Sequence, residues 1–184
     1  MKHRTYICLL RGINVSGQKI IKMEQLRKSF EALGLENVAT YIQSGNVVFS
    51  ASQQSRETLS KKIQEKILRD FGFLVPITTK SSEEVSKAIR NNPFPKEKNI
   101  DESRLHITFL SKPPETAGLQ ALERLPAKPD RFHYSGTEIY LHCPNGYGGS
   151  KLSNNTLERL LQVSATTRNW TTVNKLYEMS LKRK

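Results

Sequence analysis

Apolar residues recur along this chain in short runs whose period switches between two and three to four, and that switching lays out its elements. Thr5 to Leu10 is a β-branched and apolar run that predicts a strand. Met23, Leu26, Phe30 and Leu33 follow at helical spacing, with Gly34 placed as a C-terminal stop. Val38 to Ile42 and Asn46 to Ser50 predict two short strands around Ser44-Gly45, a hairpin signal. Leu59, Ile63, Ile67 and Phe71 mark one face of a second helix, closed by Gly72. Phe73 to Thr79 predicts a fourth strand, which Pro76 assigns to a sheet edge. Ser81 with Glu84 three residues later has the form of a capping box opening a third helix, which Pro93 ends.

A polar, proline-containing linker is placed at 93–103, dividing the chain into segments 1–92 and 104–184. The order of elements then repeats. Leu105 to Leu110 predicts a strand, and Pro113-Pro114-Glu115 opens a helix carrying Leu119, Leu122 and Leu125. Phe132-His133-Tyr134 and Glu138 to His142 form a hairpin around Ser135-Gly136, a pairing that sets His133 opposite Glu138. Ser153 caps a helix bearing Leu157, Leu160 and Leu161. A short strand at Ala165-Thr166-Thr167 precedes a last helix with Val173, Leu176 and Tyr177.

Each segment therefore gives β-α-β-β-α-β plus a terminal helix, the split βαβ pattern of the ferredoxin-like fold. The fold class is α+β, with two such halves built on antiparallel sheets. In this topology the loop after strand one and the turn between strands two and three lie at the same end of the sheet. The first half thereby gathers Arg11 to Lys19 with Gln43 to Asn46. In the second half the polar stretches, Pro144 to Asn154 and Arg168-Asn169 after the fourth strand, gather at the opposite end.

The chemistry that these ends suggest is anion binding. Arg11-Gly12-Ile13-Asn14, with Gly17 and Lys19, combines convergent backbone N–H groups, a following helix start and two cations. The glycine spacing fits neither a dinucleotide fingerprint nor a P-loop. Ser44, Gly45 and Asn46 add polar groups to the same end, and the same residue types also serve a plain tight turn. Ser44 has no local base and no nucleophile elbow around it. Ser150 and Lys151, in a glycine-rich stretch before the Ser153-capped helix, form a second candidate cluster with Arg168 and Asn169. His133, His142 and Cys143 lack the spacing of a zinc site, and paired carboxylates for acid–base work are missing. No cofactor, metal or catalytic residue is assigned.

Charge changes this picture only moderately. The 184 residues carry 29 Lys and Arg against 17 Asp and Glu, a net charge of +12. The excess runs through both halves apart from the tail Lys182-Arg183-Lys184, so it offers a diffuse field that attracts phosphates or nucleic acid. Strand positions one and three lack the several aromatics of RNA-recognition modules, which leaves a phosphate-backbone mode for nucleic acid. Apolar runs fall far short of the roughly 20 residues that span a bilayer, and Lys2-His3-Arg4 precedes too short an apolar run for a signal peptide. A cytoplasmic protein with no membrane partner is expected, with Cys8 and Cys143 as buried free thiols.

Leu9-Leu10-Arg11-Gly12-Ile13-Asn14-Val15, Met23 to Gly34, and Thr40-Tyr41-Ile42-Gln43-Ser44-Gly45-Asn46-Val47-Val48-Phe49 carry a resemblance to a known family. Ser150-Lys151-Leu152, Ala165-Thr166-Thr167-Arg168-Asn169-Trp170, Thr172-Val173 and Lys175-Leu176 extend it. The chain resembles the bacterial family catalogued as domain of unknown function 1697, with Ser16-Gly17 where that family usually has two glycines. The resemblance implies a two-part ferredoxin-like α+β fold and no activity. The expectation is an uncharacterised protein that binds a phosphate-bearing small molecule at its polar loops. Non-specific nucleic-acid binding and an enzyme of unassigned class are the alternatives.

Overall fold

The computed structural model describes residues 3–15 and 17–182. Ser16, Lys2 and the Arg183-Lys184 end of the basic tail lie outside the described residues. The chain forms two compact units, one of residues up to Lys87 together with those from Lys175 onward, the other Ala88–Asn174. Among the described residues there are six α-helices and two four-stranded antiparallel sheets, an α+β fold.

The first sheet holds β1 (His3–Leu10), β2 (Glu36–Tyr41), β3 (Asn46–Ser52) and β4 (Ile77–Ser81) in the order β2-β3-β1-β4. Helices α1 (Met23–Glu31) and α2 (Arg56–Phe71) follow β1 and β3, completing the split βαβ order. Period-two alternation along β1 and β3 sends Tyr6, Cys8, Leu10, Val47, Phe49 and Ala51 into one core. Leu26 and Phe30 of α1 and Leu59, Ile63 and Ile67 of α2 close over them. Phe49 anchors this core, stacked on Tyr6 at 5.8 Å and met edge-on by Phe30 at 5.5 Å, geometries that ring quadrupoles favour.

The second sheet repeats the plan with β5 (Leu105–Leu110), β6 (Arg131–Ser135), β7 (Glu138–His142) and β8 (Ala165–Asn169) in the order β6-β7-β5-β8. Its helices are α4 (Thr116–Glu123) and α5 (Asn154–Leu161), and its core is almost wholly aliphatic: Leu110, Leu122, Ile139, Leu141, Leu157 and Leu161. The helices approach closely at Gly118, where a Cβ would stand 2.9 Å from the Leu160 carbonyl oxygen. Helices α3 (Ser82–Asn91) and α6 (Trp170–Leu181) carry the chain out of each βαββαβ set.

Cap chemistry sets the helix limits. The expected box at α3 forms in full: Glu84 N–H donates to Ser81 Oγ at 3.2 Å, and Ser81 N–H donates to a Glu84 carboxylate oxygen at 2.8 Å. Ser153 Oγ accepts from Thr156 N–H at the start of α5, and Gly72 ends α2 at φ +79°. Three expectations need correction. β4 begins at Ile77, because Pro76 has no N–H for the ladder, and it runs on to Ser81. The hairpin turns on Gly136-Thr137, so Ser135 pairs with Glu138 and His133 stands opposite Tyr140. Arg168 and Asn169 belong to β8 itself, since the strand continues until α6 begins at Trp170.

Two substitutions test this packing. Gly45, at φ +74°, sits where a Cβ would lie 2.7 Å from both the Leu10 Cβ and the Ile13 Cδ1. Gly34 has the same φ and open space around it. In urea unfolding, Gly45→Ala is expected to cost about 3 kcal/mol and Gly34→Ala about 1 kcal/mol; equal losses would refute the close-approach argument. The Tyr140 hydroxyl is buried with no hydrogen-bond partner among the described residues, and burial pushes its pKa up. Tyr140→Phe should therefore leave stability unchanged or raise it by about 1 kcal/mol, and a clear loss in the same assay would show that the hydroxyl is engaged.

Candidate functional site

The candidate residues of the first unit converge through one side chain. Asn14 takes φ +55°, a conformation that asparagine tolerates better than most residues. Its Oδ1 accepts from the Ile21 N–H at 2.8 Å. Its Nδ2 donates to the Ile21 carbonyl at 2.9 Å and to the Gln43 carbonyl at 2.8 Å. The loop after β1 is thus closed on itself and tied to the β2–β3 turn. Leu10 N–H donates to the Gly45 carbonyl at 2.8 Å, and Arg11 N–H donates to the Pro76 carbonyl at 3.0 Å. The expected meeting of Arg11–Lys19 with Gln43–Asn46 is therefore present in the backbone.

The side chains are used unequally. Asn46 is fully buried, and its Nδ2 donates to the Tyr41 carbonyl at 3.0 Å and to Ser44 Oγ at 2.9 Å, which fixes the turn from inside. Gly45 is buried against Leu10 and Ile13. Lys19 donates from Nζ to the Leu74 carbonyl at 2.8 Å and takes φ +47°. Gly12 and Gly17 are exposed at φ +72° and +73°, with open space where a Cβ would project. Arg11 is half-buried.

Two features of this end lie beyond the expected residues. The first is Lys22, the exposed N-cap of α1, whose side chain makes no capping hydrogen bond, so the helix presents its first N–H groups uncapped by it. Segments 10–22, 41–46 and 72–77, which make up this end, contain Arg11, Lys19 and Lys22 and no Asp or Glu. The second is apolar exposure: Val15, Ile20, Ile42 and Leu74 are each at least half exposed. The missing carboxylates could have been read from the sequence, whereas the exposed aliphatics could not, because Ile42 and Leu74 look like strand residues.

In the second unit the expected residues meet less completely. Ser150 Oγ–H donates to Asp130 at 2.6 Å and accepts from the Leu152 N–H at 3.0 Å. The buried Cys143 donates from Sγ to Ser150 Oγ at 3.7 Å, and burial pushes its thiol pKa up, so it remains protonated. Lys151 donates from Nζ to the Pro126 carbonyl at 2.9 Å, beside an open cleft of about 660 Å³ lined by Lys128, Asp130, Arg131 and Phe132. Arg131 is held by Glu97 at 2.7 Å and lies 5.0 Å above the Phe94 ring. Its cation and, more strongly, burial lower the His142 pKa. Arg168 donates to the Thr167 carbonyl, and Asn169 Oδ1 caps α6 by accepting from the Thr172 N–H at 2.8 Å.

Fold and site together define an α+β protein of two ferredoxin-like units with loop-borne polar ends. The chain belongs to the family described as "Protein of unknown function (DUF1697)", which matches residues 3–140. It is similar to a solved structure described as conserved bacterial protein SP0830 from Streptococcus pneumoniae. Identity is 26%, TM-score 0.73, and the match covers 97% of this chain and 99% of that one. No curated protein matches. No helix among the described residues is long and apolar enough to cross a membrane.

If Asn14 is the tie that organises this end, Asn14→Ala loses three hydrogen bonds and a tolerated left-handed conformation. A loss of about 2 to 3 kcal/mol is expected in thermal or urea unfolding, with Asn14→Asp intermediate because it keeps the acceptor. A change within about 0.5 kcal/mol for Asn14→Ala would refute the assignment.

Proposed function

We propose that the protein binds an anionic, phosphate-bearing ligand at the loop end of its first unit. One observation carries this reading: Arg11, Lys19 and Lys22 gather with the start of α1 at an end whose three segments contain no carboxylate. Cations usually alternate with acids on a solvated face, as Lys28 does with Glu24 and Arg27 with Glu31 one turn further along α1. The three segments of the loop end hold no such acid, and the helix dipole adds positive potential of the same sign. Lys19 spends one of three ammonium donors on Leu74, which positions the charge and leaves two donors for an anion. Gly12 and Gly17 offer backbone bare of side chain at their own positions, where a phosphate can approach. Asn14, Gly45, Ser44 and Asn46 act here as the frame that holds the cations. Ser150, Lys151, Arg168 and Asn169 are left to the internal roles described for the second unit.

Titration calorimetry with inorganic phosphate and a simple phosphomonoester tests the reading. Arg11→Ala is expected to weaken binding about tenfold, as removal of one charge-assisted hydrogen bond does, and Lys151→Ala to leave it unchanged. Absence of binding, or equal binding by Arg11→Ala, removes the proposal. Non-specific nucleic-acid binding, which the net charge of +12 favours, predicts instead an oligonucleotide affinity that collapses with salt and responds to many single Lys and Arg changes alike.

A further inference from the structure

Six large hydrophobic residues are prominently exposed among the described residues, and four of them, Val15, Ile20, Ile42 and Leu74, lie at the loop end of the first unit. They come from three separate segments that hydrogen bonds bring together. Asn14 ties the Val15–Ile20 loop to Gln43, next to Ile42, and Lys19 ties it to the carbonyl of Leu74 itself. Their exposures are 58%, 60%, 50% and 59%, far from the partial cover that a scattered surface aliphatic normally finds. The same segments carry Arg11, Lys19 and Lys22 and no acidic residue, and Lys19 reaches the Leu74 carbonyl directly.

Ile42 adds an independent observation. It sits at φ +49°, a left-handed conformation that a β-branched side chain rarely adopts and that asparagine or glycine would take with less strain. A strained isoleucine, half exposed at the first position of a turn, serves neither the core nor the turn.

We infer that this end docks on an anionic phospholipid surface, with the aliphatic tips entering the interfacial layer and the cations meeting the phosphate headgroups. The inference deepens the phosphate reading above and rests on it. Charge selects the class of partner: a second copy of a chain carrying +12 is repelled, and an anionic surface is attracted. The prominently exposed apolar residues are all aliphatic, which suits insertion among acyl chains better than stacking by unpaired bases. They are also exposed side chains spread over three segments, an arrangement that a fluid interface accepts without a shaped partner. Short apolar runs exclude a spanning segment only, so this peripheral mode is invisible to that criterion.

Sedimentation of the full chain with vesicles tests the inference, using pure phosphatidylcholine against equimolar phosphatidylcholine and phosphatidylglycerol. Wild type should sediment with the anionic vesicles alone. A basic protein adheres to such vesicles by charge in any case, so the apolar variants discriminate. Ile20→Ser/Leu74→Ser should reduce partitioning about tenfold or more, and Arg11→Ala about fivefold. Ile42→Asn should also reduce it while raising the unfolding temperature, a combination that a purely structural isoleucine would not give. Failure of wild type to bind anionic vesicles, or full binding by the Ile20/Leu74 double variant, overturns the inference. So does binding of an oligonucleotide that is unaffected by the apolar changes and competes the protein off the vesicles. Soluble phosphate bound in an Arg11-dependent way with vesicles ignored overturns the docking inference alone. Apolar-dependent vesicle binding that is indifferent to Arg11→Ala overturns the phosphate reading instead.

Discussion

The side-chain amide of Asn14 satisfies three backbone groups, and the geometry of the first unit's loop end follows from that. A loop running from a central strand to a helix leaves N–H and C=O groups without ladder or helix partners. Each one left buried and unmet would cost on the order of 1 to 3 kcal/mol. Asn14 answers two of them at Ile21 and a third at Gln43, across a gap of 29 residues in sequence. Because one side chain makes this tie, most other side chains of the loop are released from structural duty, Lys19 with its bond to the Leu74 carbonyl excepted. That release lets glycines, lysines and aliphatic tips occupy positions that a self-sufficient turn would have filled with its own capping groups.

The two units reach the same strand order by different packing. The first centres on Phe49 between Tyr6 and Phe30, where ring geometry limits how the helices can settle on the sheet. The second has an aliphatic core and gains its closeness from Gly118, whose missing side chain lets α4 meet the backbone of α5. Shared topology with unshared means is what the layer rules of α+β folds permit: one apolar face per element, and any side chains that fill the space between.

Periodicity made the fold legible because burial is written in residue type at fixed spacing. Leu59, Ile63 and Ile67 could only face one way on a helix, and all three are buried. Glu84 three residues after Ser81 likewise specifies its own geometry. The failures came where residue type leaves direction open. Ser135-Gly136 and Gly136-Thr137 are equally good turn centres on paper, and a shift between them moves His133 from Glu138 to Tyr140. The candidate site was legible in position and not in use. Asn14, Asn46 and Ser150 have the residue types of ligands, yet those types are also what a backbone needs when it must be tied from within. Ile42 and Leu74 were hidden for the converse reason: a hydrophobic residue beside a strand is read as core, and only coordinates show it standing in solvent.

At two places, Ser81 to Ser82 and Asn169 to Trp170, a strand passes into a helix with no residue between. Strand register and helix phase are therefore geared together, because each added residue turns a helix by about 100°. An insertion at Ser81 would swing the buried Val85 away from its contacts and part Ser81 from Glu84 in the same motion. Variation in chain length is thereby barred from these junctions and channelled into the irregular stretches, such as residues 97–101, where no such gearing operates.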